Sequence, residues 1–329
     1  MRSLPSPPLR SAVNETQESD DWIDALGRLA RTRPICVSVM IFTLNEEIHL
    51  PTCLATLGWC DDVIVVDSFS TDRTESICRE HGVRFFQHAF DGFGSQRNWA
   101  LEHTEPEHPW VLILDADERV PPALAHELAE VARSDPPGVG AYRVRRRFHI
   151  WGRWLRRSSL YPTWVVRFIR KDRVRYLNQG HAETQEVTGE LRDLSNDLID
   201  ENRKGIDEWF ERQNRYSRKD AEYELEQSAA ALRPRELFAA DPLVQRAALK
   251  RLARHMPGRP LLFFMYCYLW RGGFLDGREG FVFCYMKALY YAMVQIKKFD
   301  RRRSSTWGVI AARPSGDQGA AQHNGKSGP

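Results

Sequence analysis

From Ile35 to about Ile150 the chain alternates short apolar runs with amphipathic ones, and polar clusters separate them. The runs "ICVSVMIF", "VIVVD", "VRFFQH" and "WVLILD" are apolar at consecutive positions and rich in β-branched and aromatic residues, as strands buried on both faces are. The segments between and after them, "IHLPTCLATL", "STDRTESICREHG", "SQRNWALEHT" and "PPALAHELAEVARS", predict helices. Ser70 or Thr71 opens the second helix and Gly82 closes it, while Pro121 or Pro122 suits the first turn of the fourth. This alternation predicts an α/β, mostly parallel sheet with helices on both faces. Ligands of such sheets bind at the carboxyl ends of the strands. The polar clusters fall there: Thr43–Glu47, Asp67–Asp72 and Asp115–Glu118.

Beyond Tyr142 the alternation decays into "YRVRRRFHIWGRWLRRSSLYPTWVVRFIRK", followed by the polar helical segment "IDEWFERQNRYSRKDAEYELEQ". Between Pro260 and Lys298 lie two apolar runs of about ten and sixteen residues, parted by Arg271, Asp276, Arg278 and Glu279. Both are shorter than the ~20 residues of a spanning helix. Aromatic-rich and basic-flanked, they read as an element lying on an anionic leaflet, or else as two helices packed on the domain or on a second subunit.

Composition changes this picture little: 42% of the 329 residues are hydrophobic, 28% are charged, and the net charge is +3. That sum does not indicate a nucleic-acid binder, and no single-strand-binding module is apparent. The distribution is more telling. Residues 143–175 hold 12 Arg and Lys against the single acid Asp172, and residues 242–303 hold 13 against three. Such blocks favour phosphates or an anionic surface. The six cysteines form no C-x-x-C pair; Cys36 and Cys53 read as small apolar fillers in a reducing, cytoplasmic setting. The Pro- and Ser-rich N-terminus has no apolar stretch of the signal-peptide kind.

The chemistry centres on Asp115-Ala-Asp117. Residues two apart on an extended chain share a face, so both carboxylates can meet one divalent cation, for which hard oxygen ligands suit Mg²⁺ or Mn²⁺. Helix capping is the bland alternative, and Glu118 stays open between support and capping. A haloacid-dehalogenase-type hydrolase also places D-x-D after a strand, but wants Thr or Val where Arg119 stands and uses its first strand. Asp67 follows the second strand, where an acid can bond base or ribose groups. Asp72 reads as a helix cap. "TLNEE" contains no Gly-x-Gly-x-x-Gly, which speaks against a dinucleotide oxidoreductase.

In this order and spacing, "VSVMIFTLNEE", "DDVIVVDSFSTDRT", "GFGSQRNWAL" and "WVLILDADERV" resemble the family 2 glycosyltransferases of GT-A fold. "GRWLRRSSLYPTWVVRFIRK", "NRYSRKDAE" and "GFLDGREGFVFCYMKALYY" resemble the branch of lipopolysaccharide core β-1,4-glucosyltransferases and exopolysaccharide relatives. The likeness spans roughly residues 35–298. It implies that Thr43, Asn45 and Glu46 line a nucleotide pocket, that Asp67 contacts uridine, and that Arg97 stands near the nucleotide. It also implies that Asp115 and Asp117 hold Mn²⁺ or Mg²⁺ on the donor diphosphate. Inversion would then be one displacement at the anomeric carbon, with a base deprotonating the acceptor hydroxyl.

Where relatives show "VHE", this chain has "QGHAET". His181 is then a metal ligand or orienting group and Glu183 the base, with Asp200 and Glu201 as competitors. Arg153, Trp154, Arg156 and Tyr161 are candidates for a phosphorylated acceptor. The resemblance implies a nucleotide-sugar donor, UDP-glucose first, and a lipid-linked or lipopolysaccharide-type acceptor. It places the enzyme on the inner face of the cytoplasmic membrane. A polyprenyl-phosphate sugar transferase and a non-catalytic sugar-nucleotide scaffold are the alternatives. The expected division is a flexible lead over 1–33, a GT-A domain over 34–230, a helical membrane-associating region over 231–303 and a disordered tail over 304–329.

Overall fold

The computed structural model describes residues 22, 25–27, 29, 35–177, 184–227, 256 and 258–307. The four apolar runs form β1 (Val37–Thr43), β2 (Asp62–Asp67), β3 (Arg84–Gln87) and β4 (Trp110–Asp115). The predicted helices are α1 (Leu50–Ala55), α2 (Thr74–Glu80), α3 (Phe93–His103) and α4 (Pro122–Ser134). These four strands lie in the order β3-β2-β1-β4, all parallel.

Alternate residues of each strand bury into opposite faces. Val37, Val39, Ile41, Trp110, Leu112 and Leu114 join α1, α2 and α4 in one core cluster. Met40, Val111 and Ile113 join Ala100 of α3 in the other. Helices therefore cover both faces, and the consecutive apolar pattern follows from that. Cys53 is buried as expected, whereas Cys36 is exposed and fills nothing, because it lies just before the strand enters the sheet.

The sheet continues past β4 through strands that the sequence pattern did not reveal. They are β5 (Glu118–Arg119), β6 (Val139–Ile150), β7 (Arg153–Trp154), β8 (Thr163–Arg170) and β11 (Glu190–Glu201). Nine strands pair in one sheet, with β8 antiparallel to β4 and β6, β11 parallel to β6, and β5 antiparallel to β11. A ribbon of β9 (Val174–Leu177) and β10 (Thr184–Val187) packs beside α3 through Val174 and Tyr176.

The polar helix is α5 (Gly205–Gln227), followed by α6 (Arg259–Met265), a π turn at Tyr266–Trp270, a 3-10 turn at Gly273–Asp276 and the long α7 (Gly277–Trp307). Glu224 of α5 clasps both later helices, with Oε1 2.7 Å from Arg259 and Oε2 2.8 Å from Lys298. No helix among the described residues is long and apolar enough to cross a membrane.

Candidate active site

Parallel pairing puts the carboxyl ends of β1, β2 and β4 side by side, with Thr43 opposite Asp67 and Phe42 opposite Asp115. The loops that follow are laced together by short polar bonds. Asp67 is fully buried; its Oδ1 accepts from the hydroxyls of Thr43 at 2.8 Å and Ser70 at 2.5 Å, and its Oδ2 from the Ser70 amide. Asn45, held at positive φ, accepts from the Thr71 amide at 2.8 Å. Asp72 accepts from the Thr74 amide and hydroxyl at the head of α2, and from the Glu47 amide. Glu46 bridges Lys204 at 2.6 Å and His49 Nδ1 at 2.7 Å, while His49 Nε2 accepts the Arg203 amide. The pocket that the sequence assigns to Thr43, Asn45, Glu46 and Asp67 thus has a stiff polar frame, in which Asp67 faces its own loop.

The D-x-D carboxylates are not equivalent, because the strand ends at Asp115 and Ala116–Asp117 form a turn. Asp115 pairs with two buried guanidiniums, Arg167 at 2.5 Å and Arg97 at 3.4 Å. Arg97 is wrapped by the rings of Phe42, Phe93 and Tyr176. Burial works to raise the Asp115 carboxyl, but Arg167, Arg97 and Arg146 outweigh it and hold it below its usual range.

Asp117 takes one hydrogen bond from Asn202 at 3.1 Å. Burial first, then Asp200, Asp115 and Glu46, push its carboxyl up to about 6. Glu118 folds back: it accepts the Asp115 amide at 3.0 Å and Arg167 at 2.9 Å. It supports Asp115 and does not cap α4.

β11 delivers two more acids with different surroundings. Glu201 is saturated by Arg119 at 2.6 Å, Arg203 at 2.7 Å and the Gly152 amide at 2.9 Å. Burial opposes its ionisation, yet those donors hold it below its ordinary value. Among the described residues Asp200 has one ion pair, Arg146 at 3.1 Å, and burial raises its carboxyl against the pull of that cation. His181 and Glu183 lie outside the described residues.

Period-two geometry divides the arginine-rich strand β6. Arg146 points to Glu118 and Asp200. Arg143 and Arg145 turn the other way and flank the Trp164 ring, and Arg147 lies over Trp154. Asp193 and Asp197 neutralise that outer row. The helices supply further cations: Arg212 of α5 pulls the Asp200 carboxyl downward, and Lys287 of α7 senses both Arg146 and Asp200.

In the sequence Arg146 and Arg167 belong to the basic block over 143–175, and no motif singles them out. Recognising the block as two strands would have separated the inward pair from the outward row. Nothing local marks Arg212 or Lys287, whose electrostatic influence on Asp200 arises only through helix packing.

The family model described as glycosyl transferase family 2 matches residues 38–194, from the first strand into β11. The chain carries a family 2 glycosyltransferase domain. Over 290 residues it is 27% identical to a lipopolysaccharide core biosynthesis glycosyltransferase, LpsC, of Rhizobium meliloti, covering 85% of this chain and 96% of that one. Among solved structures, S. aureus TarS 1-349 with UDP-GlcNAc superimposes with a TM-score of 0.38 at 16% identity, over 82% of this chain and 92% of that one. Glucosyl-3-phosphoglycerate synthase from Mycobacterium tuberculosis, with Mn²⁺, UDP and phosphoglyceric acid, gives 0.38 at 17%, over 60% and 80%.

The glycosyltransferase's acids can be tested against a divalent cation on their own chemistry. Among the described residues no group of three or more His, Cys, Asp or Glu side chains is arranged to hold a metal. Asp117 nonetheless carries negative charge that its neighbours do not neutralise. Two carboxylates, with the remaining positions taken by phosphate oxygens and water, fit a hard cation such as Mg²⁺ or Mn²⁺.

The acceptor candidates are dispersed. Arg153 pairs with Glu279 at 3.0 Å, and Trp154 packs edge-on against Tyr161 with Arg147 and Arg156 over its faces. Arg156 and Tyr161 line a groove of about 580 Å³ with Arg157, Pro162, Trp270 and Arg271.

Proposed function

We propose that this glycosyltransferase moves a sugar, with inversion, from a nucleotide-sugar donor to a lipopolysaccharide-type or lipid-linked acceptor. UDP-glucose is the first donor to test. The observation that carries this reading is the graded acid cluster at the ends of β4 and β11: Asp115 satisfied by arginines, Asp117 short of positive charge, Asp200 held by one cation. Asp117, with Asp115 beside it, would hold Mg²⁺ or Mn²⁺. Such an ion, when bound, neutralises charge building on the departing nucleoside diphosphate.

The chain's own residues do the rest. Arg146, Arg212 and Lys287 offer cations to the diphosphate, and Arg167 and Arg97 fix Asp115. Asp200 takes the proton of the acceptor hydroxyl; Glu201, bound on both oxygens, is the poorer base. Likeness to a lipopolysaccharide core biosynthesis glycosyltransferase over most of both chains supports the acceptor class. The work would be done on the cytoplasmic face of the inner membrane, with the protein bound peripherally. Donor turnover over a panel of UDP-, GDP- and dTDP-sugars, with Mn²⁺, with Mg²⁺ and with chelator, tests the reading. Metal-dependent turnover of one donor is expected, and no turnover of any donor overturns it.

A further inference from the structure

Away from the catalytic acids, the C-terminal elements leave a large apolar surface uncovered. Leu261 and Leu269 are 65% and 50% exposed; with Met265 they recur every four residues along α6 and the π turn. Trp270, at 84%, is the most exposed large apolar side chain among the described residues. Leu275 and Phe281 extend the patch onto the 3-10 turn and α7. Phe264, Tyr268 and Phe281 pack ring against ring, and the Gly273 carbonyl leaves no room for a Cβ at Gly280. Solvated monomers rarely hold such a belt in a fixed shape unless it meets something apolar.

The belt's edge is a built cationic groove. Buried Asp276 accepts the Arg157 amide at 2.9 Å, the Ser158 amide at 2.7 Å and the Ser158 hydroxyl at 2.7 Å. That clasp fastens the loop after β7 to the C-terminal turn. Arg271 ties the same two pieces by donating to the Tyr161 carbonyl at 3.2 Å. The clasp sets Arg156, Arg157 and Arg271 around one cavity, with Tyr161 and Trp270 as walls. The described lining contains no carboxylate.

We propose that this groove holds the anionic headgroup of a bilayer lipid while the belt from Leu261 to Phe281 enters the same leaflet. It rests on the membrane-surface part of the reading above and specifies where the surface is gripped. Charge complementarity selects the occupant: three arginines lining the groove and apolar side chains beyond match a phosphate-bearing headgroup above its acyl chains. A second copy of this chain would bring the same three cations against themselves.

Co-sedimentation of the full chain with phosphatidylcholine vesicles, with and without phosphatidylglycerol, tests it. Binding is expected only with the anionic lipid. Arg156→Gln with Arg157→Gln should weaken it about thirtyfold, since each basic residue near such a surface contributes ~1 kcal/mol. Trp270→Ala, at a solvated position that folding does not need, should weaken binding to the same vesicles. Inorganic phosphate at constant ionic strength should not release the protein.

Equal binding by the variants, equal binding to neutral vesicles, or release by phosphate would each overturn the proposal. So would a lipid-free dimer abolished by Trp270→Ala, which would assign the belt to a second copy. No donor sugar is present in these measurements, so their failure is distinct from failure of the glycosyl-transfer reading.

Discussion

At the scale of single residues, the cluster separates acids by what already holds them. Asp117 has no cation paired with it among the described residues, so Asp117→Asn should remove the metal dependence of turnover and lower kcat by about 10²–10³-fold, the cost of losing one transition-state charge stabiliser. Titrating Mn²⁺ against donor turnover in both proteins checks this; unchanged metal dependence would move the ion elsewhere. For Asp200 two readouts diverge. Its carboxyl is raised in the folded protein, so the ionised form destabilises: stability is full below the unfolded value and falls as pH rises through the folded one. Asp200→Asn should therefore match or exceed the parent in Tm at pH 7 while turnover collapses. A base that must be ionised also puts the acid limb of kcat/KM above the ordinary carboxylate range. By contrast, Glu201→Gln removes a saturated acceptor and should lower Tm.

At the scale of elements, what the sequence reveals depends on how much of each element's surroundings lies in its own pattern. β1 to β4 and α1 to α4 were legible because double-sided burial makes consecutive positions apolar. β6 and β8 were hidden because arginines facing acids and tryptophans interrupt that pattern. β11 was hidden because residues 190–193 are exposed and the strand enters the core only from Leu194 onward. The D-x-D motif was legible as an acid pair, but its asymmetry depends on Arg97, Arg146 and Arg167, which only the folded sheet brings near.

The joints between legible elements make their own demand. Buried Asp62, at the start of β2, accepts Ser38 of β1 at 2.5 Å, Arg84 of β3 at 2.8 Å and the Glu107 amide at 2.8 Å. Burial alone would raise its carboxyl, yet those donors carry it below the usual value. The stability it confers is present above the unfolded value near 3.9 and is lost as pH falls through the folded one. Asp62→Asn should cost about 1–3 kcal/mol in urea unfolding at pH 7. The difference should shrink at pH 3; a pH-independent difference would point to packing.

At the scale of the molecule, α7 runs between the apolar belt and the acid cluster. One part of it presents Phe281 in the apolar belt, and Lys287, under two turns later, lies within electrostatic reach of Asp200. The Glu224 clasp, with Asp220 accepting from Tyr290 and Asn214 from Lys297, seats that helix along α5. Lys287 is seated at a cost. Burial, then Arg146 and Arg212, depress its ammonium against the pull of Asp200. A depressed lysine destabilises the fold while protonated, and the loss is recovered as pH rises through the folded value toward the unfolded one, about 10.4. A bound anion would offset that cost, and in the proposed reaction the donor diphosphate is such an anion. Lys287→Met should therefore raise Tm at pH 7, with the gain shrinking near pH 10. It should also raise the donor KM by about tenfold or more, as for a lost charge-assisted hydrogen bond. Thermal melts with and without nucleotide sugar separate the two effects: the variant melts higher alone but gains less on adding donor. If it instead melts lower and gains as much, Lys287 is a packing residue of α7 and the diphosphate is held by the arginines alone.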